Sequence, residues 1–288
     1  VQSTRDVTAS GATKTKRSTG DVYADGARSL SPVEMIHGDC RDVMPVLPAG
    51  VFDACVCDPP YGLNMADWDG QVPGPEVWVE VLRLLKPGAA LVAFAARRLY
   101  HELASTVQAA GFSVVDQGVW IYRTGKAPST NHLRPAHEPI LIARAPGRSV
   151  PVNVDEGRIP WRDDADMAQV QRIDSLRANG KRRPVYQPSL DACGRQSFQP
   201  AANGRWPTTV MATDDVLGDA GHVFMVPKVR NVHGHVCSKP VELMAQIIRL
   251  FVPAGGVVVD PFAGAGPVGE AAQATGRRAV LIERARAA

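Results

Sequence analysis

Asp58-Pro59-Pro60-Tyr61 follows the apolar run Phe52-Asp53-Ala54-Cys55-Val56-Cys57, so a carboxylate, a stiff diproline and an aromatic ring arrive together where a buried strand would end. Such a strand tip suits a planar, amino-bearing ring, because the carboxylate accepts the amino hydrogens while the aromatic face stacks on the ring. Far downstream, Val257-Val258-Val259-Asp260 runs into Pro261-Phe262-Ala263-Gly264-Ala265-Gly266. A strand, a glycine turn and a helix in succession present free backbone N–H groups and let a ligand approach the main chain closely. The first motif points to a substrate pocket and the second to a nucleotide-like cofactor.

Both motifs need a rigid frame, and the surrounding pattern supplies one. Val33 to His37 reads as a short strand, Gly38-Asp39-Cys40 as its turn, and Arg41 to Leu47 as a helix ending before Pro48. A polar loop around Met65 to Pro75 follows the strand that carries Asp58. Glu76 to Lys86 has helical spacing in Val77, Val81, Leu84 and Leu85, and Pro87-Gly88 stops it. Ala90 to Ala95 predicts a buried strand and Arg97 to Ala110 a helix closed by Gly111. Ser113 to Tyr122 and Pro139 to Arg144 are expected to pair as the last two strands of the sheet. Pro240 to Phe251 reads as an amphipathic helix, Gly256 to Asp260 as a strand, Gly266 to Ala274 as a helix and Arg278 to Glu283 as a strand. This alternation predicts a parallel sheet with helices on both faces. From about Ala145 to Asn203, Pro, Gly, Arg and Asp interrupt every apolar run, so an inserted, loop-rich region is expected.

At 288 residues and 45% hydrophobic content, the chain can form one well-cored α/β domain with a smaller appendage, which excludes fibrous and wholly disordered classes. No apolar stretch approaches the ~20 residues needed to span a bilayer, and the polar N-terminus lacks a secretory core, so no membrane and a cytoplasmic location are expected. Residues 1–31, rich in Ser, Thr, Gly, Lys and Arg, read as a mobile tail, with Met35 as an alternative start. The five cysteines have no disulfide or zinc-knuckle spacing, and Cys55 and Cys57 read as small core hydrophobes. His233-Gly234-His235-Val236-Cys237 lacks a second ligand pair, so no metal is expected. A net charge of +3 says little about a polyanionic partner. Its distribution says more: Arg172, Arg177, Lys181, Arg182, Arg183, Arg195 and Arg205 fall in one stretch with Trp161, Tyr186 and Trp206 near or within it. Phosphate contact with base stacking is one reading, and a solvated surface loop is the other.

The two motifs together resemble those of the amino-group DNA methyltransferases, which carry Asp-Pro-Pro-Tyr as the catalytic motif and Phe-x-Gly-x-Gly as the S-adenosylmethionine motif. Here the catalytic motif comes first and the glycine motif last, with a long insert between, which is similar to the permuted arrangement called the β class. The resemblance covers roughly residues 33–145 and 205–283. It implies an α/β fold, a Rossmann-like doubly wound mixed sheet of the S-adenosylmethionine-dependent methyltransferase type. The chain then divides into the tail at 1–31, a catalytic half at 32–145, an inserted target-recognition region at 146–205 and a cofactor-binding half at 206–288.

The same resemblance implies roles for individual residues. Asp260, Phe262, Gly264 and Gly266 line the cofactor site, bordered by Asp58, and Glu283 holds the ribose hydroxyls. Asp39, with Cys40, lies near the cofactor's adenine. His235-Val236-Cys237-Ser238-Lys239-Pro240-Val241-Glu242 resembles a His-Pro-Thr-x-Lys-Pro motif. Val236 and Cys237 replace the proline and threonine, which leaves Ser238 and Lys239 as cofactor-site candidates. Leu133-Arg134-Pro135-Ala136-His137-Glu138-Pro139 also resembles a recurring segment, and two prolines before a strand give it a structural reading.

A ring amino group is a poor nucleophile because its lone pair is delocalised into the ring. Asp58 and the Pro59 carbonyl, accepting its hydrogens, would favour a tetrahedral nitrogen, while Pro60 stiffens the turn and Tyr61 stacks on the ring. Direct transfer then needs neither a covalent enzyme intermediate nor a metal. A base inside a duplex hides this nitrogen, so the target nucleotide is expected to be turned out of the stack. The basic residues named above would contact phosphates, and Arg182, Arg183, Asn179 or Asn203 would read bases. The expected activity is methylation of adenine N6 in a specific DNA sequence, with cytosine N4 as the alternative. Homodimers and a cognate restriction endonuclease are the further partners the resemblance implies. Methylation of RNA or of a protein amide is a weaker reading, since those relatives carry asparagine first and the cofactor motif upstream. A nucleic-acid-binding relative without catalysis is a third, motivated by Val236-Cys237 and by the chain ending soon after Glu283.

Overall fold

A computed structural model describes residues 32–122, 133, 135–168, 204–213, 224–226 and 238–284. The run Phe52–Cys57 forms strand β2, and its near-continuous apolar composition is explained by position: neighbours flank it on both sides and helices cover both faces. Alternate side chains go opposite ways, Cys55 and Cys57 into one core and Ala54 and Val56 into the other. The other strands are β1 (Val33–His37), β3 (Leu85–Phe94), β4 (Ser113–Ile121), β5 (His137–Arg144), β6 (Val210–Thr213), β7 (Phe224–Val226), β8 (Val257–Asp260) and β9 (Arg278–Glu283). Among the described residues they make one sheet in the order β1-β9-β8-β2-β3-β5-β4-β6-β7. β5 is antiparallel to both of its neighbours, β3 and β4, whereas every other adjacent pair is parallel.

Helices close both faces. On one side lie α1 (Cys40–Val43), α2 (Pro75–Leu84) and α3 (Tyr100–Ala109), with Trp78, Val81, Leu103 and Val107 buried against Cys55, Leu91 and Leu141. On the other, α4 (Val241–Phe251) and α5 (Pro267–Ala274) bury Leu243, Ile247, Val268 and Ala271 against Val56, Val92 and Val258. The fold is therefore the doubly wound mixed α/β sheet expected of the methyltransferase type.

Several boundaries differ from the sequence reading. The helix expected over 41–47 is α1 followed by a 3-10 turn at Met44–Val46, because Pro45 removes a donor the α ladder needs. β3 starts at Leu85, five residues before expectation: α2 ends at Leu84, and Lys86-Pro87-Gly88 forms an irregularity opposite Phe52 and Ala54. Gly88, at φ +73°, lies so close to Arg148 that a Cβ would collide with its carbonyl. α3 begins at Tyr100 rather than Arg97. β4 and β5 do pair, but they are not the last strands, since β6 and β7 extend the sheet beyond β4. Val33 and Glu34 are in register with Ala279 and Val280, so β1 uses residues upstream of Met35. The described part of the insert is irregular except for a helical turn at 164–168 and a bridge between Ile159 and Arg205.

Candidate active site

β2 and β8 run side by side in the same direction, with Ala54 opposite Val258 and Cys55 opposite Val259. Their C-terminal ends therefore bring Asp58 and Asp260 to one edge of the sheet, the edge at which open α/β sheets bind ligands. Asp58 Oδ1 accepts a hydrogen bond from the Tyr61 hydroxyl at 2.6 Å, and Oδ2 accepts one from Lys239 Nζ at 2.6 Å. Glu138, at the start of β5, lies within reach of the same two donors, its Oε2 3.0 Å from the Tyr61 hydroxyl and 3.1 Å from Lys239 Nζ. The Lys239 ammonium is enclosed, 5.3 Å from the Tyr61 ring centroid and 5.2 Å from that of Phe94. Burial opposes its charge, but Asp58 and Glu138 outweigh burial and hold its pKa above the ordinary lysine value. Burial, then the same two carboxylates, pushes the Tyr61 hydroxyl well up, which keeps it a neutral donor. Tyr122 joins the group, its hydroxyl raised by burial and by the Glu138 charge.

The loop after Tyr61 is fixed by one buried side chain. Asp69, 2% exposed, accepts the backbone N–H groups of Tyr61 (2.6 Å), Gly62 (2.8 Å), Leu63 (3.2 Å) and Met65 (3.2 Å). Gly62 and Asn64 adopt left-handed conformations that let the chain curl around this carboxylate. Leu63, Met65 and Trp68 are left exposed on the outside of the curl. Pro59 and Pro60, with Tyr61, Phe94, Ala95 and Leu99, line a small recess beside the carboxylate cluster.

The glycine turn forms the other half of the site. Asp260 is buried and accepts the Phe262 N–H at 2.9 Å; burial drives its pKa up to about 8, helped by the charges of Asp58 and Glu283. Gly264 and Gly266 have φ of +53° and +84°, and a Cβ at Gly264 would meet nothing within 4 Å. Gly264 is thus required for its backbone conformation, and the space above the turn is open to a ligand. The Gly264 N–H donates to Glu283 Oε2 at 2.6 Å, and the Gly38 N–H donates to the Glu283 carbonyl at 2.9 Å, so the ends of β1 and β9 meet beside the turn. Asp39 caps α1 through the Arg41 N–H and pairs with the Arg41 guanidinium at 2.7 Å, which lowers its pKa to about 2. Cys40 is a neutral thiol, raised to about 11 by burial and by Asp39. Phe262 packs edge-on against Trp78 at 6.1 Å.

The structure thus brings Asp58, Pro59, Pro60 and Tyr61 together at one half of the edge and Asp39, Cys40, Asp260, Phe262, Gly264, Gly266 and Glu283 at the other. Ser238 is exposed at the head of α4. Lys239, expected among the cofactor residues, places its ammonium on Asp58 and Glu138, where two carboxylates offset the desolvation of a buried cation. One expectation needs correction. Arg205, read as a phosphate contact, is buried, ion-paired with Asp166 and 5.0 Å from the Trp161 ring centroid, so it ties the stretch before β6 to residues 159–166. Arg172, Arg177, Lys181, Arg182, Arg183 and Arg195 lie outside the described residues, as do Asn179, Asn203, Tyr186, His235 and Cys237. Asp69 and Glu138 were missed as site residues. Glu138 carried a usable signal, an acid standing immediately before the apolar run of a buried strand. Among the described residues no cluster of three or more His, Cys, Asp or Glu could hold a metal, and no helix is long and apolar enough to cross a membrane.

Comparison with known proteins agrees with this geometry. A family described as DNA methylase, of the N6/N4 type, matches residues 52–288. The DNA adenine methyltransferase YhdJ of Escherichia coli K12 is 23% identical over 266 residues, covering 86% of this chain and 77% of its own. Among solved structures, the M1.HpyAVI–SAM complex superposes with a TM-score of 0.52 at 18% identity, covering 88% of this chain and 94% of its own. The cytosine-N4-specific PvuII DNA methyltransferase superposes with a TM-score of 0.56 at 14% identity, covering 88% and 83%.

Proposed function

The chain belongs to the N6/N4 family of DNA methylases, and from that premise we propose that it methylates the exocyclic N6 of adenine in a specific DNA sequence. The observation that carries this reading is the Asp58 carboxylate, held by Lys239 and Tyr61 at the strand end beside an open glycine turn. The turn fits S-adenosylmethionine, the methyl donor of this family: Gly264 leaves space above the main chain, and Glu283 offers a carboxylate next to it. Asp39, Cys40, Phe262, Gly266 and Glu283 would hold the donor, while the buried Asp260 fixes the turn through the Phe262 N–H. When bound, it supplies a methyl group on a positively charged sulfur.

The work of this chain is to prepare the acceptor. Asp58 and the Pro59 carbonyl accept the two amino hydrogens, which pulls the nitrogen toward a tetrahedral shape and localises its lone pair. The Tyr61 ring holds the base flat. The nitrogen would then take the methyl in line as the donor's carbon–sulfur bond breaks and a neutral thioether leaves, and the cationic nitrogen would pass one proton to water, restoring neutrality. Because a paired base hides its amino group, the nucleotide turns out of the duplex into the site. Adenine is favoured over cytosine because Asp58 begins the catalytic motif, where the cytosine members of this family more often carry serine.

The test is incubation with radiolabelled-methyl S-adenosylmethionine and unmethylated duplex DNA of mixed sequence, followed by digestion to nucleosides. Label in N6-methyladenine, lost in Asp58→Ala, is the expected outcome. Label in N4-methylcytosine would keep the mechanism and overturn the target, whereas no transfer despite cofactor binding would overturn DNA as the substrate.

A further inference from the structure

Each oxygen of the Asp58 carboxylate already accepts one short hydrogen bond in this structure. Oδ2 takes the Lys239 ammonium and Oδ1 the Tyr61 hydroxyl, each at 2.6 Å. An amino group that is to donate to Asp58 must either share an oxygen that already holds a strong donor, which weakens the bond it can make, or take that donor's place. Lys239 is a poor candidate, since its ammonium is buried and loses its main partner if it leaves. The Tyr61 hydroxyl has somewhere to go: Glu138 Oε2 lies 3.0 Å away, so turning one O–H bond transfers the donation from one carboxylate to the other. Glu138 also shares Lys239 at 3.1 Å, which draws the ammonium's charge away from Asp58. With Asp58 and Glu138 each −1 and Lys239 +1, the cluster carries a net −1 where a nitrogen is to become cationic.

We propose that Glu138 is a positioning residue for methyl transfer: it is the alternate acceptor to which the Tyr61 hydroxyl turns when the target base arrives, and so frees Asp58 Oδ1 for the amino group. This role rests on the reading of the chain as an amino methyltransferase. Without Glu138 the hydroxyl keeps Asp58, because a buried phenol without an acceptor costs more than one that is paired. The hydroxyl and the substrate then compete for the same oxygen.

A double-mutant cycle separates this from a structural role. Glu138→Ala is expected to lower kcat about tenfold with cofactor affinity unchanged, because one buried donor is left to compete with substrate. Glu138→Gln keeps a carbonyl acceptor and is expected to recover roughly half of that loss on a logarithmic scale. In a Tyr61→Phe background the competing hydroxyl is gone, so Glu138→Ala is expected to cost about threefold or less. Losses that multiply independently in the double variant would overturn the proposal, as would a Glu138 variant that retains full kcat or that fails to bind S-adenosylmethionine in titration calorimetry. Failure of the underlying reading looks different: the unaltered protein would then methylate no DNA at all.

Discussion

Asp58 and Asp260 stand at the ends of neighbouring parallel strands, each followed by proline, yet the protein treats them in opposite ways. Asp58 is 26% exposed in its side chain and meets a buried lysine and a phenol. Asp260 is 2% exposed, accepts the N–H of Phe262, and forms no ion pair among the described residues. Local sequence does not separate the two dipeptides. The difference comes from what the third dimension supplies: α4 is entered through Lys239, which reaches Asp58, while Asp260 is buried and accepts only the Phe262 N–H among the described hydrogen bonds. One carboxylate is kept available to accept hydrogen bonds, and the other is driven toward its protonated form, with a pKa of about 8. On the proposed reading, the half around Asp58 presents charged side chains to the methyl acceptor, and the half around Gly264 presents an open backbone turn with the Glu283 carboxylate beside it.

The contrast can be broken at either end. Asp58→Asn should be the most damaging change, lowering methyl transfer by at least about a thousandfold while cofactor binding survives, because it removes the charge aimed at the reacting nitrogen. Equal loss of binding and turnover would show that Asp58 serves the cofactor instead. Glu283→Ala should do the reverse, weakening S-adenosylmethionine about tenfold with little change in saturated rate, since it removes an expected ligand contact and the Gly264 anchor. An unchanged dissociation constant in calorimetry would remove Glu283 from the cofactor site. Asp260→Asn should have the smallest effect on activity and should stabilise the protein. The Asp260 carboxyl ionises near 3.8 when unfolded and near 8 when folded, so the stability it leaves intact below about pH 4 is lost as pH rises toward 8. Asparagine lacks that titration, and the variant's advantage in denaturant unfolding should grow by up to about 3–4 kcal/mol between pH 5 and 8. A gap that does not change with pH would mean that Asp260 holds its charge.

Much of this arrangement was legible in the chain, and what escaped has specific causes. The catalytic strand stood out because an apolar run ended in Asp-Pro-Pro-Tyr, and the glycine turn because strand, glycines and helix succeed one another without a gap. β6 and β7 escaped because four- and three-residue strands are too short to show a period. The start of β3 was hidden by Pro87-Gly88, which locally reads as a helix stop although the chain continues as an irregular strand. The partners of Asp58 escaped for another reason. Lys239 lies 181 residues downstream and Glu138 lies 77 from Tyr61, and no pattern within a local window reports such meetings. Asp69 resembled an ordinary loop acid, and only the convergence of four N–H groups on it sets it apart.

The reversed direction of β5 has a consequence for how the protein comes to be active. A strand parallel to β3 would deliver its last residue to the edge where Asp58 stands, but β5 delivers its first, with Ile140 opposite Phe94 and Glu138 just beyond. Glu138 can therefore join the cluster only after β5 has zipped into place beside β3, and Lys239 only after α4 has docked across the opposite face. The carboxylate cluster is thus built from two long-range contacts, one set by the register of β5 on β3 and the other by the chain entering α4.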